Sequence, residues 1–153
     1  MKILVIGNLA SGKTTLCQKI ASEHNIKHLS LDECRKNAAL KYAHPNQVES
    51  AAQKELRLLL QQENWVLEST ATGHFWKEIL NQYRNNFEKI IRVLVTFEES
   101  KKRFTNRKNY MPARHFKSDF ETSFWKIEED LESWEKYFLQ QEPKRISFFK
   151  GGI

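Results

Sequence analysis

The chain has 153 residues, 40% of them hydrophobic and 29% charged, with a formal net charge of +6 and a pI near 9.3. That length and balance predict one domain spanning 1–153 with a core of its own, and they exclude a repeat array or a low-complexity chain. The two cysteines, Cys17 and Cys34, exclude a disulfide framework and lack metal-ligand spacing, so both read as small buried side chains in a reducing compartment. There is no signal-peptide h-region, and no apolar stretch nears the roughly 18 residues of a membrane span, so a cytoplasmic protein is expected. The surplus of basic residues suits a polyanionic partner, although a nucleotide alone would also benefit from that field.

Lys2 to Ile6 reads as a buried strand running straight into Gly7-Asn8-Leu9-Ala10-Ser11-Gly12-Lys13-Thr14. This is the G-x-x-x-x-G-K-[ST] pattern of a phosphate-binding loop. Two glycines let the backbone curl until consecutive N–H groups face a nucleotide's β-phosphate, and the helix that follows adds its positive end. Lys13 then reaches the β and γ phosphates. Thr14 is placed to offer its hydroxyl to Mg²⁺, which keeps the rest of its octahedron for water and phosphate oxygens. Thr15 completes the nucleotide-binding stretch. Ala10 stands where kinase loops often carry another glycine, so its backbone must be attainable by a residue with a Cβ. Thr14 to His24 follows as a helix with Leu16, Ile20 and Ala21 on one face.

Ile26 to Leu31 reads as a second strand, which closes a βαβ unit. Ser30-Leu31-Asp32-Glu33-Cys34-Arg35 opens a helix expected to reach Tyr42. Ser30 and Glu33 have the spacing of a capping box, which leaves Asp32 as a first-turn acid suited to the helix dipole. Asp32 and Arg35 also share one helical face at the mouth of the site. There Asp32 can take a proton from an acceptor hydroxyl while Arg35 holds an anionic group of that acceptor. Both readings are compatible.

Pro45 begins a helix carrying Val48, Ala51, Ala52, Leu56, Leu59 and Leu60 to about Glu63. Trp65 to Glu68 is a third strand, and a helix is expected from about His74 to Phe87. Glu68 at a strand's carboxyl end falls on the side where open α/β sheets bind ligands. It can hold a Mg²⁺-bound water, position the acceptor, or simply cap the loop. His74 reads as packing or capping.

Ile90 to Val95 is a fourth strand. Glu98 to Lys108 places acids first and bases last, as any solvated helix does to match its dipole. Yet Arg103 and Arg107 stand one turn apart, and a loop precedes Pro112. Phosphoryl transfer spreads negative charge over the transferred group, so arginines from a lid at about 101–113 are its expected complement. From Pro112 to about Gln140 a long helix carries Phe116, Phe120, Phe124, Ile127, Leu131, Trp134 and Phe138 as a core stripe. Ile146 to Phe149 is a fifth strand.

Taken in order, GNLASGKT, LDECR, VLEST and KKRFTNRKNYMP resemble the small P-loop kinases of the adenylate-kinase-like group. The resemblance is greatest to the kinase domain of bacteriophage polynucleotide kinase and related proteins labelled AAA-type ATPases. It implies a three-layer α/β P-loop NTPase fold, a five-stranded parallel sheet in the order 2-3-1-4-5 with helices on both faces and a small lid. It further implies ATP and Mg²⁺ as cofactors, Asp32 as catalytic base, Arg35 as an acceptor-binding arginine, and Lys102, Arg103 and Arg107 in the lid. The acceptor is then the 5′-hydroxyl end of a nucleic acid, or alternatively a nucleoside, nucleotide or sugar. A nucleotide-binding regulatory module without transferase activity is a further alternative. A GTPase switch is disfavoured, because D-x-x-G after the third strand and N-K-x-D are both missing.

Overall fold

The computed structural model describes residues 1–106 and 119–150. Its sheet is formed by β1 (Lys2–Gly7), β2 (Lys27–Ser30), β3 (Trp65–Ser69), β4 (Lys89–Leu94) and β5 (Ile146–Lys150), all parallel, in the spatial order β2-β3-β1-β4-β5. The order expected from the sequence is therefore the observed one. β1 lies in the middle, with Ile3 opposite Val66 on one side and Lys89 on the other. A parallel strand covered on both faces must be apolar throughout, and from Ile3 to Ile6 no residue of β1 is more than 2% exposed.

The helices are α1 (Lys13–His24), α2 (Leu31–Ala39), α3 (Pro45–Leu59), α4 (His74–Tyr83), α5 (Phe97–Asn106) and α6 (Phe120–Gln141). Alternation along β1 divides the core. Leu4 and Ile6 join Leu29, Leu67 and Ile90 and the buried faces of α2, α3, α4 and α6, whereas Ile3 and Val5 join Val66, Val93 and the Cys17 and Ile20 face of α1. None of the helices described is long and apolar enough to cross a membrane.

Local chemistry explains where the helices begin and end. Ser30 caps α2 by accepting from Glu33 N–H at 3.1 Å, as the capping box predicts. Pro45 takes the first turn of α3, and the His44 ring Nδ1 accepts from Asn46 N–H at 3.1 Å. Asp119 caps α6 through Thr122 N–H. α1 stops at Asn25 in a left-handed conformation, φ 52°, which asparagine tolerates better than most residues.

Three helices stop earlier than their periodicity predicts. α2 ends at Ala39 rather than Tyr42. α3 ends at Leu59 rather than Glu63 because the chain turns back into β3, with the Trp65 indole N–H donating to the carbonyls of Leu60 and Gln62. α4 ends at Tyr83, and Phe87 instead packs edge-on against Trp65 and Phe138 in the core. His74 is neither packed nor a cap: its side chain is 86% exposed and its Nε2 lies 2.6 Å from Glu78. Arg107, Pro112, Phe116 and the expected lid beyond Asn106 lie outside the described residues.

Candidate active site

Every predicted site residue within the described chain lies at or beyond the carboxyl end of a strand. The loop follows β1, Asp32 follows β2, Glu68 is the penultimate residue of β3, and Arg103 comes from the helix after β4. Parallel strands put these ends on one edge of the sheet, where ligands bind in open α/β folds.

The loop itself is tightly built. Gly7 must be glycine because a Cβ there would lie 2.6 Å from Ser11 Oγ and 3.1 Å from Val93 Cβ. Gly12, the residue preceding α1, has φ 93°, a left-handed conformation natural to glycine. Ala10 adopts φ 50°, so its Cβ is carried in the left-handed region at a cost of about 1–2 kcal/mol. Four hydrogen bonds hold this geometry from outside. The fully buried Asn8 side-chain amide donates to Phe124 O and Glu128 Oε1, both at 3.0 Å, while its Oδ1 accepts from Leu9 N–H. Ser100 Oγ donates to Leu9 O, and Arg103 Nη1 donates to Ala10 O at 3.1 Å. α5 and α6 therefore grip the loop from two sides. Within it, Lys13 Nζ donates to Asn8 O at 3.2 Å.

Two features fit the loop to a phosphate group. Ser11 Oγ is a buried side-chain atom without a hydrogen-bond partner among the described residues, a hydroxyl that a polar ligand atom would satisfy. The space a Cβ at Gly7 would fill keeps the backbone open. Mg²⁺ fits as well, since Thr14 is exposed and its hydroxyl donates to Glu68 Oε2 at 2.7 Å, so two hard oxygen ligands meet at the loop's end.

Glu68 is 8% exposed. Its second oxygen lies 2.8 Å from His28 Nε2, which fixes the ring proton on that nitrogen. Burial opposes its charge, but the His28 hydrogen bond, the Lys13 charge and the Thr14 hydroxyl together hold the carboxyl below its ordinary value. Glu68 also walls a cleft, with about 320 Å³ free of atoms and open to solvent, that is lined by Asp32, Arg35, Ser69, Thr70 and Trp76 among others. The three residues expected to meet the acceptor are thus brought together, one carboxylate away from the phosphate loop.

Arg35 is not a free cation in that cleft. Its Nε and Nη2 donate to the two oxygens of Glu49, and its Nη1 donates to Asp32 Oδ1 at 2.8 Å. Burial works against its charge, but Glu49 and then Asp32 outweigh that and raise its pKa. An anionic acceptor group would have to compete with Glu49.

Arg103 reaches the loop and also pairs with Glu99 at 3.1 Å. Thr15 is an exposed residue of α1. The sequence reading missed His28, Glu49 and Trp76, and it missed the structural role of Asn8. For His28 the available signal was strand alternation: it shares a face with Ser30, which lies opposite Glu68.

No family model matches the chain. Solved structures do share its fold. Deoxyadenosine kinase from M. mycoides with bound dATP superposes with a TM-score of 0.57 at 12% identity, covering 98% of this chain and 91% of that one. Shikimate kinase from Bacteroides thetaiotaomicron gives 0.63 at 19% identity, with 98% and 86% covered. Shikimate kinase from Aquifex aeolicus gives 0.57 at 20% identity, with 100% and 88% covered. The fold is that of the P-loop kinases.

Proposed function

We propose that this protein is an ATP-dependent kinase that transfers the γ-phosphoryl group to a hydroxyl of a small polar molecule held between Asp32 and Trp76. The observation that carries the reading is Glu68. One of its oxygens accepts from Thr14 of the phosphate loop, and the same side chain walls the cleft that holds Asp32 and Arg35. A phosphoryl donor and a hydroxyl acceptor would therefore adjoin across a single carboxylate.

In this reading the loop amides and Lys13 hold the phosphates, with Ser11 Oγ meeting a phosphate oxygen. Thr14 and Glu68 would hold Mg²⁺, which when bound supplies positive charge against the β and γ oxygens. Asp32 accepts the acceptor's hydroxyl proton. It is the exposed carboxylate of the cleft, whereas both oxygens of Glu68 are already engaged. Arg35 orients Asp32 through its hydrogen bond, and Arg103 brings a guanidinium onto the loop to offset charge developing on the transferred group. Arg107 is proposed to assist it, on the sequence spacing alone.

Two considerations favour a small acceptor over the 5′-hydroxyl end of a polynucleotide. The fold neighbours named above are kinases of deoxyadenosine and shikimate. In addition, among the described residues Arg35 is paired with Asp32 and Glu49, and Glu68 lines the same cleft, so the field of these residues opposes a polyanion despite the net charge of +6. The test is transfer of labelled γ-phosphate to nucleosides, polyhydroxylated acids, sugars, nucleoside monophosphates and 5′-hydroxyl oligonucleotides. Label on one small-molecule class is expected. Label on oligonucleotides alone would restore the polynucleotide reading, and no acceptor-dependent ADP with any class would leave only a nucleotide-binding module.

A further inference from the structure

Behind Thr14, three side chains from three elements converge: Cys17 on α1, His28 on β2 and Glu68 on β3. One ligand atom of each lies within 4.8 Å of the other two, with Cys17 and Glu68 buried and His28 half-buried. We propose that Cys17, His28 and Glu68 form a binding site for a borderline-soft divalent ion of the Zn²⁺ class, and that filling it draws Glu68 away from Thr14.

The donor set argues for that class of ion. One sulfur, one imidazole nitrogen and one carboxylate oxygen suit Zn²⁺ and match poorly the all-oxygen preference of Mg²⁺. Arms of about 2.0–2.3 Å in a tetrahedral site set ligand atoms about 3.3–3.7 Å apart. The His28–Glu68 pair, now at 2.8 Å, must open slightly, and all three ligand atoms already lie within 4.8 Å of one another. Charge also balances: a divalent ion with one thiolate and one carboxylate is neutral, so the filled site avoids the penalty of a net charge in low dielectric.

On binding, the Cys17 thiol proton leaves to solvent as the metal–sulfur bond forms, and the His28 ring proton moves from Nε2 to Nδ1, freeing Nε2 as a ligand. Burial and the Glu68 charge both raise the Cys17 thiol's pKa, so the thiolate forms only with the metal. His28, partly exposed, is the side from which an ion enters and a water completes the fourth position. The site stands independently of the kinase reading. Its link to Thr14 rests on that reading, because Thr14 is the residue proposed to meet Mg²⁺.

The probe is Co²⁺, titrated into the untagged, nucleotide-free protein. One equivalent should produce a sulfur-to-cobalt charge-transfer band with the intense visible absorption of tetrahedral Co²⁺, and Zn²⁺ should erase both. Cys17→Ser should abolish the charge-transfer band, His28→Gln should weaken Co²⁺ affinity at least tenfold, and Cys34→Ser should change neither. If circular dichroism shows Cys17→Ser unfolded, His28→Gln and the wild-type band decide. No charge-transfer band in the wild type, a band surviving in folded Cys17→Ser, or one lost with Cys34→Ser would each overturn the site. A second titration follows Mg²⁺-nucleotide binding with the metal site filled: at least tenfold weaker binding is expected, and unchanged binding would overturn the link to Thr14 while leaving the site. A protein that binds Co²⁺ through Cys17 yet phosphorylates no acceptor would refute the kinase and keep the site.

Discussion

Replacing Arg92 by methionine should damage both stability and nucleotide binding, through one carboxylate. Arg92 lies inside β4 and is 2% exposed. Its Nη2 is 2.6 Å from Glu128 Oε2, its Nε is 3.3 Å from Glu135 Oε1, and its Nη1 donates to Val93 O. Methionine keeps most of the volume but strands two carboxylates on α6. Breaking a buried ion pair costs about 3–5 kcal/mol. Because the Glu128 and Glu135 side chains are 18% and 27% exposed and can recover some hydration, the lower end, about 3 kcal/mol, is expected here. For a domain of this size each kcal/mol shifts Tm by about 2–4 °C, so the fall should be about 6–12 °C. Glu128 also accepts from the Asn8 amide of the phosphate loop, so an unneutralised, displaced Glu128 should loosen the loop and weaken ATP binding several-fold. Urea unfolding and nucleotide titration measure the two effects separately. The double variant Arg92→Met, Glu128→Gln should recover part of the stability, with a coupling of about 1–3 kcal/mol. A single variant within 1 kcal/mol of wild type, about the contribution of an exposed pair, would refute the argument. So would additive double-variant energies.

Lys13→Ala should abolish transfer while leaving the melting temperature near wild type, since its ammonium touches only Asn8 O among the contacts described; unfolding, or intact turnover, would contradict this. Asp32→Asn should lower kcat by about 10²–10⁴ with ATP affinity kept, and an equal loss of ATP affinity would make Asp32 a structural acid. Glu68, with its folded pKa below the ordinary carboxylate value, adds stability that is present above that ordinary value and is lost as pH falls through the depressed one. Glu68→Gln should therefore flatten the acid limb of a Tm-against-pH curve, and an unchanged limb would count against the His28 and Thr14 bonds. Ala10→Gly relieves a left-handed alanine worth about 1–2 kcal/mol but gains unfolded-state freedom worth about 0.4–1. Its stability should rise by no more than about 1.5 kcal/mol by urea unfolding, and a net loss would show that the Ala10 methyl packs usefully.

The strands were legible because they are apolar runs bounded by turns, and their order followed from the resemblance to the small P-loop kinases. The residues proposed to bind phosphate were legible because they are contiguous. What escaped the sequence were pairings between distant elements. Arg35 reads as an acceptor-binding cation until α3 brings Glu49 beside it, fourteen positions later in the chain. His28 is one residue in a short strand until β3 sets Glu68 against it. Arg92 was the strongest unused clue, since a lone charge in an apolar strand requires a buried partner, but nothing local says that the partner lies on α6.

The central position of β1 also bears on how the protein is made. Within this chain β1 precedes both of its partners: the neighbours of Ile3 are Val66 and Lys89, and the α6 contacts of Asn8 involve Phe124 and Glu128. The apolar segment KILVIG must wait for Trp65–Ser69 before its first flank exists and for Lys89–Leu94 before its second. During that interval the nascent chain presents this apolar strand to the cell. Slowed elongation before β4, or a holding chaperone on the first residues, should therefore govern soluble yield more than any substitution at the protein's surface.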